Sequence, residues 1–219
     1  TERANDVDTH LRQSSYNQFG FSKIDVIPNV LNLDESTTYY KEHKDSSGNE
    51  DGYAVLANDA SIKAAEAGFN PADYHFCVIA HKKVFDGWAG LGTIGKDNSA
   101  GVAVTWLQGD HGISDARTFA HEIGHNLGLW HANSWNPSST TQPDDNQGDH
   151  VEYGNSFDVM GGGTSWFEYS LNKTPFSAHF KNQIGWIPDS QILKTSISQQ
   201  ARLYAMDEGK IEGRFYGLR

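Results

Sequence analysis

The chain has 219 residues, 37% of them hydrophobic, and no apolar run approaches the roughly 18 residues of a membrane helix, so a membrane-spanning chain is excluded. A chain of this length buries one sizeable core, divided by a cleft, and 1–219 is read as one domain without need of a second independent one. The net charge of −11, from 17 Lys and Arg against 28 Asp and Glu, disfavours nonspecific nucleic-acid binding and suits a solvated extracellular surface.

The opening residues TERANDVDTHLRQ carry neither the basic start nor the apolar core of a signal peptide, so Thr1 is read as the start of a processed form. Residues 21–31, FSKIDVIPNVL, alternate and are rich in β-branched side chains, which predicts a strand; KEHKDSSGNEDG then gives a loop. From about Tyr53 to Ala67 alanines and apolar residues recur at helical spacing, with Gly68 as the stop. Residues 73–81, DYHFCVIAH, form a strand apolar enough to lie inside a sheet. The single cysteine, Cys77, lies in it, so an internal disulfide is excluded and the thiol reads as a buried apolar group. An inhibitory thiolate on a metal is the alternative, a role expected of a propeptide instead. AGLGTIGKD and AGVAVTWLQG supply two more strands, separated by the turn residues Asn98 and Ser99.

A helix starting near Ser114 or Asp115 carries the most informative segment, HEIGHNLGLWH, residues 121–131. His121 and His125 are four residues apart and share a helix face, so both reach one metal ion, while Glu122 projects beside them. Gly128 lets the helix stop and turn back, because glycine takes positive φ at a helix end without steric cost, and His131 then approaches the same ion. Three protein ligands on zinc leave the fourth position to water. Beyond this point residues 132–157 are a polar stretch too poor in apolar side chains for a core element. Asp144, Asp145, Asn146, Asp149 and Glu152 offer hard oxygen ligands of the kind calcium accepts, with Asp144, Asp145 and Asp149 as the candidate calcium ligands. A solvated acidic loop is the alternative reading. Residues 175–185, PFSAHFKNQIG, predict a helix with proline at its start and glycine at its end.

The pattern H-E-x-x-H-x-x-G-x-x-H, followed by YGNSFDVMGGG, resembles the metzincin metalloendopeptidases, and within them most resembles the gametolysin-like peptidases. The resemblance implies a fold of the α+β class: an α/β-like upper half (1–128) with a mixed twisted sheet and two long helices above the cleft. A smaller irregular lower subdomain (129–219) would then carry a methionine turn at Met160 and a C-terminal helix. It implies zinc on His121, His125 and His131, with Glu122 as general base toward the zinc-bound water. Gly162 stands where astacins and serralysins carry a tyrosine that can serve as an extra ligand, so no tyrosine ligand is expected. Asp158 is a candidate to brace a ligand histidine, or simply to cap the turn. The remaining histidines read as ordinary surface or core residues, with a place facing the cleft as the alternative for His111 and a place in the acidic loop as the alternative for His150.

The function expected is that of a secreted, monomeric zinc endopeptidase, with calcium as a second candidate ion. It would bind a protein or peptide along an edge strand in the GWAGLGTIGKD region and line the adjoining pocket with residues 164–169. Neither nucleic acid nor a membrane is expected as a partner. A catalytically silent binding module on the same scaffold, or a zinc hydrolase acting on a different amide, such as a cell-wall peptide or a peptide terminus, are the alternatives.

Overall fold

The computed structural model describes residues 1–96, 101–138, 148–162, 174–206 and 209–219. The chain forms two compact units, one of Thr1 and Lys23–Leu127, the other of Glu2–Ser22 and Gly128–Arg219. Both α and β elements are present, in a mixed α+β fold consistent with the metzincin expectation.

In the first unit helix α2 (Thr37–Glu42) precedes α3 (Gly52–Glu66), which fills the predicted helical stretch. Three strands follow, β1 (Phe76–His81), β2 (Gly90–Gly92) and β3 (Ala103–Gln108); β1 and β3 fill most of their predicted stretches, and β2 keeps only three residues of AGLGTIGKD. They form one sheet in the order β1-β3-β2: β1 runs parallel to β3 with Phe76 opposite Ala103, and β2 runs antiparallel to β3 with Gly90 opposite Leu107. Tyr40, Leu56, Val84 and Trp106 form the core beside this sheet, and the Trp106 indole N–H donates to the Tyr53 carbonyl at 2.9 Å. Helix α4 (Gly109–Ser114) leads into α5 (Ala116–Asn126), whose first turn is capped by Asp115 accepting from the Arg117 and Thr118 backbone N–H groups.

The strand predicted for residues 21–31 does not form. Pro28 offers no N–H to a ladder, and Val26 and Val30 stand exposed instead of pairing. β-branched alternation makes a strand possible, but only a partner edge makes it one.

The second unit begins with α1 (Glu2–Ser14), a helix the sequence reading left out. Its apolar stripe is narrow, Val7 and Leu11 one turn apart and both fully buried, so periodicity alone gives a weak signal. The unit continues with the hairpin of β4 (Ser134–Pro137) and β5 (Gly148–Val151), then α6 (Ala178–Gln183) and a short parallel pair, β6 (Ile192–Leu193) with β7 (Gly217–Leu218). Helix α6 starts later than the predicted Pro175. The Pro175 carbonyl accepts from the Val159 N–H, and Ser177 supplies the cap instead, its hydroxyl accepting from the Phe180 N–H.

His10 on α1 is buried against the Phe176 ring, 5.8 Å between centroids. Desolvation, reinforced by the nearby Lys181 cation, pushes its pKa down to about 4. The unfolded chain therefore takes up a proton near pH 6.5 that the folded chain refuses until about pH 4, and stability falls as pH drops through that window. Chemical denaturation at pH 7 and pH 4.5 should show His10 accounting for a loss on the order of 2 kcal/mol, absent from a His10→Gln variant.

Candidate metal centre

Helix α5 presents His121 and His125 one turn apart, both buried, with ring centroids 4.8 Å apart and planes at 87°. The helix is capped at its C-terminal end by Leu127, whose N–H reaches back to the Ile123 and Gly124 carbonyls, and Gly128 follows at φ +91°. A Cβ at Gly128 would meet nothing within 4 Å, so glycine is required there by the left-handed backbone and not by crowding. The reversal brings in His131, and one ligand atom from each of the three imidazoles lies within 4.8 Å of the others, close enough for one ion. Three imidazole nitrogens are the donor set of a catalytic zinc, so the residues present fit the metal the motif implies.

Glu122 lies on the same helix and is 5% exposed. Burial pushes its pKa up to about 8. Its side chain packs onto strand β2: a Cβ at Gly90 would stand 2.6 Å from Glu122 Oε1 and 2.8 Å from the Thr118 methyl. A strand with a side chain at position 90 would push the carboxylate away, so the glycine that weakens β2 as a strand gives Glu122 its seat.

Two buried amides missed by the sequence reading hold this frame. Asn126 closes α5 onto the sheet, its Nδ2 donating to the Thr93 and Val104 carbonyls at 3.1 and 3.0 Å and its Oδ1 accepting from the Thr105 hydroxyl at 2.7 Å. Gln108 at the end of β3 ties down the approach to β2, accepting from the Val84 and Phe85 N–H groups and donating to the Phe85 and Trp88 carbonyls. Neither has a sequence signature. Asn126 sits inside the histidine motif at a position the pattern leaves free, and Gln108 reads as an ordinary strand end.

In the second unit Met160 is fully buried in a turn, and its carbonyl accepts from the Ala132 N–H at 2.8 Å, one residue past His131. Asp158, also fully buried, accepts from the Met160 and Ser177 N–H groups, both at 2.8 Å, while desolvation holds its carboxyl above the usual range. Glu152 lies beside His131, with Oε1 2.7 Å from Nδ1. Of the candidate calcium ligands, Asp149 is exposed on β5 opposite Asn136, while Asp144 and Asp145 lie outside the described residues, as do residues 164–169. His111 lines an open surface cavity of about 550 Å³ with Lys83, Trp88 and Asp110, and His150 is exposed near Asn133.

The sequence matches the family described as Metallo-peptidase family M12B, reprolysin-like, over residues 13–132, more than half of the chain, ending one residue past the third histidine. No curated protein and no solved structure matches the chain significantly. The metzincin resemblance is thus borne out, but the matching family is the reprolysin-like one, and the finer likeness to gametolysin-like peptidases is not confirmed. With a three-histidine cluster fitted to zinc and a match running through the whole ligand motif, the chain belongs to the M12B reprolysin-like metallopeptidases and is a zinc metalloprotease.

Proposed function

We propose that the protein is a secreted, monomeric endopeptidase that hydrolyses internal peptide bonds of proteins, with Glu122 as its general base. The observation that carries this reading is the buried Glu122 carboxylate on the helix that supplies His121 and His125. Zinc, when bound by His121, His125 and His131, supplies Lewis-acid polarisation of the scissile carbonyl. The Glu122 carboxylate takes a proton from the attacking water and returns it to the leaving amine nitrogen. Among the described residues strand β2 lies at the edge of its sheet, paired with β3 alone, and an extended substrate would add to it as a further strand. Met160 serves as the methionine of the turn, an adaptable apolar packing group and not a ligand. Calcium remains a proposal for the acidic stretch of Asp144, Asp145 and Asp149.

A mixed peptide library incubated with zinc-loaded protein, and with Glu122→Ala in parallel, tests the reading by mass spectrometry. Internal cleavages made only by the unmutated protein are expected. Trimming confined to termini would assign the amide-hydrolase alternative, and no cleavage by a zinc-bound protein would point to a silent binding module.

A further inference from the structure

The third histidine is the one metal-binding side chain not carried by α5, and it arrives on irregular backbone after the Gly128 reversal. A ligand so placed keeps its ring orientation only if something outside the helix fixes it. The segment following β5 is built for that task. Four bonds set its register, two to the neighbours of His131, one to its own strand and one from Gly162, two residues past Met160. The Tyr153 N–H donates to Asn133 Oδ1 and the Asn155 N–H to the Ala132 carbonyl, while the Gly154 N–H reaches the Val151 carbonyl and the Gly162 N–H the Tyr153 carbonyl.

In that register Glu152 and Tyr153 both meet the His131 ring. Glu152 Oε1 lies 2.7 Å from Nδ1, and the Tyr153 ring lies over the imidazole with centroids 3.8 Å apart and planes at 33°. Tyr153 holds φ +58°, a left-handed conformation that a bulky non-glycine residue adopts only when its surroundings impose it. We propose that Glu152 and Tyr153 are positioning residues for the metal ligand His131, a carboxylate fixing its tautomer and a ring fixing its plane. With Nδ1–H donating to the carboxylate, the Nε2 lone pair is the one offered to the metal.

The inference rests on the zinc-peptidase reading, and zinc affinity separates its failure from that of the reading. Competition against a chromophoric chelator should show Glu152→Ala binding zinc about 10–100-fold more weakly than the unmutated protein, the range typical for removing a carboxylate behind a ligand histidine. Glu152→Gln, whose amide oxygen still accepts from Nδ1–H, should recover most of that loss. Tyr153→Phe should keep the parental affinity and Tyr153→Ala should not. The visible spectrum of the cobalt-substituted protein should change in Glu152→Ala and return toward the parental form in Glu152→Gln, a response that mere loss of loop packing does not give. Parental affinity and cobalt spectrum in Glu152→Ala overturn the inference while leaving the peptidase reading intact, as does equal weakening by Ala and Gln. Absence of zinc binding in the unmutated protein overturns both.

Discussion

Glu122→Gln is expected to lower kcat by about 10²–10⁴-fold while leaving zinc content unchanged, the range in which general acid–base catalysis contributes. Glutamine keeps the shape that packs against Gly90, so the frame of β2 and α5 should survive. What it lacks is an oxygen able to take a proton from water and hand it on. The carboxyl is suited to that exchange because burial raises its affinity for the proton, while a cation bound by the adjacent histidines would favour the charged form that acts as base. Turnover on a cleavable peptide, with metal content measured on the same sample, checks the expectation. Full activity with zinc bound would remove Glu122 from the mechanism.

Asn126→Ala should destabilise the fold by about 3–5 kcal/mol, read as a shift in the urea midpoint without a change in slope. The side chain is 5% exposed, and its loss leaves the buried Thr105 hydroxyl and the half-buried Thr93 carbonyl without that partner at about 1–3 kcal/mol apiece, while the Val104 carbonyl keeps the Thr93 N–H at 2.9 Å. The loss falls on the junction between β2, β3 and the end of α5, beside His125, whose carbonyl accepts from the Gly95 N–H at 2.9 Å. Zinc affinity should therefore fall with stability. A variant as stable as the parent would show that the network contributes little and that packing alone seats the helix.

Much of the metal centre was legible because it is local. An i, i+4 pair on a helix shares a face whatever else the chain does, and a glycine at the helix end permits the reversal to His131, so His121, Glu122, His125, Gly128 and His131 could be placed from spacing alone. Helix α3 and strands β1 and β3 were legible for a related reason, since long periodic segments reveal the face they bury. The strand expected at residues 21–31 failed where local preference met a non-local requirement, the existence of an edge to pair with.

The sequence by itself determined the histidine ligand set and placed a glutamate beside it, because both follow from the repeat distance of a helix and the reversal after it, while the α+β class came with the family resemblance. The tertiary structure alone decided that Gly90 seats Glu122, that Asn126 and Gln108 hold the frame, that α1 groups with the C-terminal segment, and that Glu152 lies on His131. Glu152 had read as one oxygen donor in an acidic run, and nothing in a spacing of twenty-one residues distinguishes it from its neighbours. Such contacts depend on how turns and hairpin register return distant residues to one place, and that is settled by the sum of packing and hydrogen bonds over the whole unit, not by any period in the chain.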